Sequence, residues 1–186
     1  MQDKLAKKQI LRTQILAIVF IAAFGTSLHF IFEWSGSWEP LGLIAAVNES
    51  TWEHFKMTFW PGLIFALISY SYLKSRANNF WLATTVALFV MPIVIAIMFY
   101  SYLFITGEHS LLYDIFTFIV SVIIGQLVSY RLMINRAFTS GWKYIALVFL
   151  IIAIGAFSLL TFYPLENTVF EDPVTGEYGI IEDHNH

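Results

Sequence analysis

Five apolar stretches of about twenty residues, separated by polar linkers, constrain this chain more than any other feature. A bilayer core of about 30 Å needs roughly 20 helical residues at a rise of about 1.5 Å each. The stretches run from Thr13 to Phe32, Thr51 to Leu73, Phe80 to Ile105, Leu111 to Tyr130 and Trp142 to Tyr163. A soluble core built from 186 residues could not hide that much apolar surface. Composition agrees, with 58% of positions apolar and 12% charged against about a quarter charged in ordinary globular domains. The expected fold is all-α, a polytopic membrane bundle of five transmembrane helices. One transmembrane domain covers residues 1–163, and an acidic tail covers 164–186.

Orientation follows from the cations, because Lys and Arg near span ends resist translocation. Lys4, Lys7, Lys8 and Arg12 precede the first span; Lys74 and Arg76 separate the second from the third; Arg131, Arg136 and Lys143 separate the fourth from the fifth. Lys56 alone falls on the opposite side. The amino terminus is therefore expected inside, the carboxyl terminus outside, and the location is the cytoplasmic membrane. The first span is expected to be retained, since its apolar run is long for a signal peptide and shows no small-residue cleavage site before His29. With ten Lys and Arg in all, a nucleic-acid role is poorly supported, and the bilayer is the expected partner. The absence of Cys removes thiolate metal sites, Cys nucleophiles and Fe–S clusters, so a metal would have to use His and carboxylate ligands.

This topology sorts the acids and imidazoles unevenly. Of thirteen acids only Asp3 is placed inside; the other twelve and all five His map to the outer half or beyond. Glu166, Glu171, Asp172, Glu177, Glu182, Asp183, His184 and His186 belong to the tail, where charge keeps a segment in water, and the tail is expected to be disordered. His29, Glu33, Glu49, Glu53, His54, Glu108, His109 and Asp114 instead come from the outer ends of four spans. Antiparallel packing would bring those ends together.

His29 and Glu33 stand four apart and share one helix face, an arrangement that can share a proton, chelate an ion or simply form a hydrogen bond. Asn48-Glu49-Ser50-Thr51-Trp52-Glu53-His54 opens the second span. Ser50 with Glu53 matches a capping box, which leaves Glu49 and His54 without a structural explanation. Glu49 and Glu53 are like charges four apart, and Lys56 is one candidate counter-ion. Pro61 is expected to bend the second span and open space beneath the cluster, and Pro92 to act likewise in the third. Asp114, about one turn into an apolar helix, must be protonated, paired or metal-bound. Glu108 and His109 fit an exposed turn, and Gln126 and Ser129 fit hydrogen bonding between helices. Residues 34–47 are too short to span, so they are expected to form an interfacial or re-entrant segment, anchored by Trp34 and Trp38, that roofs the site. Asp172 to Gly179 carries ordered-turn signals that would let it fold back over the cluster.

Through His29-Phe30-Ile31-Phe32-Glu33-Trp34-Ser35-Gly36, Asn48 to His54, Pro61 and Asp172 to Gly179, the chain resembles a family of small bacterial integral membrane proteins known only as a domain of unknown function, number 6512. That resemblance covers nearly the whole chain and implies no activity. A second likeness, to the emopamil-binding or sterol isomerase family, lies in a His and Glu one turn apart, a Glu opening the next span and a Thr-Glu-His-like span end. It implies proton-shuttling roles for His29, Glu33 and Glu49, with Thr106 to His109 at the third span's end. The chain departs from it by lacking a preceding span and adding a fifth helix with an acidic tail.

Three functions are compatible with these residues. In the first, a membrane-embedded enzyme uses His29, Glu33, Glu49 and His54 as acid–base groups on a lipid-like substrate; alternatively His29, Glu33, Glu49, His54 and Asp114 hold zinc, manganese or iron that activates water. In the second, a transporter or ion-binding protein uses the cluster as an outer vestibule, although no inverted repeat and no polar path inward of Gln126 and Ser129 is evident. In the third, a non-catalytic scaffold uses the polar groups only to hold its fold. Convergence of four spans favours a site, with the enzyme ranked above the transporter.

Overall fold

The computed structural model describes residues 2–181, so Glu182, Asp183, His184 and His186 lie outside the described residues. Five helices follow one another: α1 Gln2–Trp34, α2 Thr51–Leu73, α3 Phe80–Thr106, α4 Leu111–Ile134 and α5 Ser140–Leu159. A short 3-10 turn, Glu39–Leu43, lies between α1 and α2. Among the described residues there are no strands, only an isolated antiparallel bridge between Glu171 and Tyr178.

Packing follows from the apolar faces. Helices α1 to α4 form a closed ring, each touching its neighbours and α4 returning to α1, while α5 packs outside against α3. The fit is close where side chains are small: a Cβ on Gly25 would stand 2.5 Å from the Met57 carbonyl oxygen and 2.7 Å from Phe118. Backbone approach of this kind is how apolar helices associate in lipid. At the short α3–α4 turn, Gly107 adopts φ +72° and donates to the Leu103 carbonyl, a left-handed helix end that costs glycine little.

Helices α1, α3, α4 and α5 are long and apolar enough to cross a membrane. Helix α2 is long enough at 23 residues but less apolar, so four helices rather than the expected five meet both criteria. The difference has a physical cause. Glu53, Lys56, Thr58 and Pro61 of α2 are buried against neighbouring protein, where polar groups can be satisfied without lipid contact. The helix also continues unbroken through Pro61, as α3 does through Pro92. Helix α1 begins well before its apolar stretch, since Lys4 to Arg12 contains no breaker and Lys7 pairs with Asp3 one turn back at 2.8 Å. Helix α5 stops at Leu159, short of the expected Tyr163, and thereby releases Thr161 for another task.

That task is to complete a buried ionic network. The Lys56 ammonium is fully buried and lies 2.6 Å from Glu53 Oε2. It also donates to the Gly42 carbonyl at 2.8 Å and to Thr161 Oγ1 at 2.7 Å. Thr161 donates in turn to Glu53 Oε1 at 2.7 Å, and the Val47 N–H donates to Glu53 Oε2 at 3.1 Å. Glu53 therefore does not complete the expected capping box. Its N–H donates to the Ser50 cap at 3.4 Å, but the Ser50 N–H goes to Asn48 Oδ1. Lys56 balances Glu53 and leaves Glu49 free.

The described part of the tail, residues 164–181, packs on the bundle instead of extending into solvent as expected. Trp52 stacks between Phe157 and Phe170, with ring centroids 4.8 and 4.6 Å away, and its backbone N–H donates to the Val169 carbonyl. Buried Asp172 accepts from the Val174 and Thr175 amides through one oxygen and from the Glu49 amide, at 3.0 Å, through the other. Asn48 Nδ2 donates to the Gly179 carbonyl. At the opposite end of the bundle, Asn79 donates to the Leu132 and Arg136 carbonyls and accepts from the Phe138 amide, tying the two basic linkers together.

The network predicts an asymmetric mutational response. Lys56→Met leaves a carboxylate stranded in the core and should cost about 3–5 kcal/mol, whereas Lys56→Met with Glu53→Gln should recover much of that loss. Thermal unfolding of the purified protein in detergent measures both, and equal stability of the single and double variants would contradict the network's role.

Candidate functional site

At the end of the bundle that carries the tail, α1 brings His29, the loop before α2 brings Glu49, and α2 brings His54. Helix α1 is held at this height by Gly25, one turn below His29, which lets it lie against Met57. Glu49 is fixed through its backbone by Asp172. His54 is fixed by its ring, because Nδ1 lies 2.9 Å from the Ser50 carbonyl. A carbonyl only accepts, so Nδ1 donates to it, and in the neutral ring Nε2 is the nitrogen left to bind a ligand.

His29 Nε2 stands 3.5 Å from Glu49 Oε1, and His54 Nε2 stands 3.6 Å from Glu49 Oε2. The two imidazoles face each other with centroids 5.3 Å apart, and one ligand atom from each of the three residues lies within 4.8 Å of the others. These separations exceed a direct hydrogen bond of about 2.7–3.2 Å. The two Glu49 separations lie near the roughly 3.4 Å between ligands bonded at about 2.0–2.1 Å, while one donor atom from each residue spreads up to 4.8 Å, so the set would tighten on a bound ion. Both His are half-buried and the Glu49 side chain is half exposed.

The three residues line a cavity of about 540 Å³. Asp114 and His109 line it as well, together with Thr51, Thr117 and the apolar walls Met57, Ile95, Phe99 and Phe118. Of the residues singled out in the sequence, His29, Glu49, His54 and Asp114 thus share one cavity. Glu33 does not: it is exposed, one turn beyond His29, and is absent from the lining. The helix-face argument places it correctly relative to His29, but the lining face ends at Phe30. Asp114 reaches the cavity without joining the triad of ligand atoms. His109, expected as a plain exposed turn residue, is exposed yet also faces the cavity. The expected roof is replaced too: Pro173 and Val174 of the tail line the cavity, while residues 34–47 contribute the Gly42 and Val47 backbone to the buried ionic network.

Sequence reasoning gave no part to Thr117. It is 2% exposed, and its hydroxyl has no hydrogen-bond partner. His29 Nδ1 is likewise buried and unpartnered. A lone Thr in an apolar helix gives no sequence signal, because threonine usually satisfies itself on its own helix.

Fold and site together define an all-helical protein with membrane-spanning-type helices and a His/carboxylate cluster in a cavity at one end. The chain belongs to a family of unknown function, DUF6512, whose model matches residues 1–180. No curated protein and no solved structure matches it. The sterol isomerase likeness therefore rests on its short motifs alone.

Gly25→Ala should lower stability by about 1–3 kcal/mol, because the new methyl meets backbone rather than a movable side chain. By separating α1 from α2 it should also draw His29 away from Glu49. A lower melting temperature with faster diethylpyrocarbonate modification of His29 checks this, and an unchanged melting temperature would contradict the close packing.

Proposed function

We propose that the protein is a multi-pass enzyme of the cytoplasmic membrane in which His29, Glu49 and His54 hold a catalytic divalent metal that acts on a lipid-like substrate. All five helices cross the membrane in this reading, with the Lys/Arg-rich end inside and the tail outside. Helix α2 can cross despite its polar residues because neighbouring helices and the tail surround them.

The observation that carries the proposal is the convergence of three donor atoms at one cavity. With Nδ1 turned to the Ser50 carbonyl, His54 directs Nε2 at a carboxylate oxygen 3.6 Å away, and His29 Nε2 faces the other oxygen at 3.5 Å. In the neutral imidazole that His54 Nε2 presents a lone pair, and a divalent cation between it and the carboxylate satisfies both. Three ligands of the His₂Glu type leave a coordination position open, which is the pattern of catalytic rather than structural zinc. A divalent ion there would supply Lewis acidity and lower the pKa of bound water, while Asp114 and His109 stand in the same cavity as proton-transfer groups. Zinc, manganese and iron all accept this N/O donor set.

The scaffold reading is weakened by the division of labour between neighbouring acids, since Glu53 takes the structural role and Glu49 uses only its backbone for one. The transporter reading meets a sealed core. A second pocket, about 20 Å³ and lined by Gln14, Ser69, Thr84, Gln126 and Ser129, lies toward the basic end and has room for about one water. Between it and the outer cavity, each ring helix places at least one completely buried apolar side chain: Ile21, Phe59, Met91 and Val122.

Purified protein should bind one divalent ion per chain, and cobalt should give the visible absorption of a tetrahedral site. His29→Ala, Glu49→Gln and His54→Ala should each weaken binding more than about 100-fold, beyond what loss of an outer partner costs. Glu33→Gln should leave binding unchanged. A folded protein that takes up no metal, or equal loss in Glu33→Gln, would overturn the assignment.

A further inference from the structure

The cavity walls differ sharply in exposure. On the α2 and α3 side the lining residues Thr51, Met57 and Ile95 are 7%, 7% and 6% exposed. On the α1 and α4 side, Phe30, Ile115 and Leu111 line the same cavity and are 39%, 53% and 77% exposed. Helices α1 and α4 meet at Gly25 and Phe118, which close the cavity below. Above that contact these side chains line the cavity yet keep much of their surface uncovered, and in a membrane bundle the uncovered flanks of α1 and α4 meet lipid. The opening is thus a cleft between two apolar helix ends.

The charges restrict what can occupy it. Glu49 and Asp114 line the cavity, and no Lys or Arg does. One divalent ion would balance those two carboxylates, and with His29 and His54 held to it only the exposed His109 could oppose an anionic headgroup. Thr117, buried with an unpartnered hydroxyl on the cavity wall, offers a neutral hydrogen-bond donor to a ligand's hydroxyl, ester or amide oxygen.

We infer that the gap between the outer ends of α1 and α4 is a lateral portal through which a long-chain amphipath with an uncharged polar head reaches the cavity from the bilayer. The chain lies against Phe30, Ile115 and Ile119, and the head lies among His29, Glu49, His54 and Thr117. This rests on the reading of that cavity as the working site.

The test uses the full chain in phosphatidylcholine nanodiscs with a monoacylglycerol carrying a diazirine on its acyl chain. Irradiation and peptide mapping should place the label on Phe30, Ile115 and Ile119. Excess monoolein should remove it, whereas oleic acid and oleoyl lysophosphatidate should compete at least about tenfold less well, as expected where a buried charge goes unpaired. Ile119→Trp should abolish labelling at the portal while leaving that on Ile151 of α5, which is 68% exposed and reports ordinary lipid contact. Delivering the probe from detergent-free buffer to nanodiscs already formed, or incorporating it in their lipid beforehand, separates the two sources; faster labelling from the incorporated probe supports access from the bilayer. Label spread as on Ile151, equal competition by the anionic lipids, or faster labelling from the aqueous side would overturn the portal. Cobalt titration of the same samples keeps the two readings apart. Metal binding without portal label defeats the portal alone, and portal label without metal supports the portal while defeating the metal centre.

Discussion

The structure depends on an ammonium group buried where hydrocarbon alone would not tolerate it. Lys56 is completely buried, and taking such a charge out of water is costly unless geometry and hydrogen bonds compensate nearly fully. They do so here by recruiting three separate parts of the chain: the Gly42 and Val47 backbone from the 34–50 connection, Glu53 from α2, and Thr161 from beyond α5. None of these segments can shift without stranding a charge. Residues far apart in sequence are thus locked around the start of α2, and Glu49 and His54 inherit their positions from that lock.

Much of the architecture was legible in the sequence because hydrocarbon imposes simple rules. Apolar length marked the helices, and short linkers marked antiparallel neighbours. The convergence of His29, Glu49, His54 and Asp114 at one end followed from orientation and spacing alone. What stayed hidden depended on partners far away in the chain. Lys56 was visible as a counter-ion near Glu49 and Glu53, but Ser50 and Glu53 fit a local capping pattern so well that the distant claim of Thr161 on the same carboxylate could not be seen. The tail carries enough charge to look solvated, yet Asp172 spends its charge on backbone amides, including that of Glu49. Glu33 shows the opposite failure. It shares a helix face with His29 within the precision of the helical repeat, but a cavity has an edge, and periodicity does not say where.

The polar groups also follow an order along the membrane normal. At the basic end, asparagines tie the linkers through backbone carbonyls. In the middle, Ile21, Phe59, Met91 and Val122 are completely buried. At the other end, His29, Glu49, His54, His109 and Asp114 share with apolar walls a cavity of about 540 Å³. Close packing of the middle layer lies between the two ends. It also makes the site floor rigid, because Gly25, Phe118 and Met57 meet directly beneath it.

The two neighbouring glutamates state the division between fold and function most clearly. Glu53 is 2% exposed and engages both oxygens in close contacts of 2.6 to 3.1 Å; nothing remains for a ligand. Glu49, four residues earlier, is half exposed, and its carboxylate meets only two imidazole nitrogens, each beyond hydrogen-bond length. A carboxylate that merely needed solvation could turn to water, and one that merely held the fold would close on its partners. Glu49 is held by its backbone and keeps its two oxygens 3.5 and 3.6 Å from the His29 and His54 ring nitrogens, so one acid secures the fold while the carboxylate of its neighbour faces the cavity.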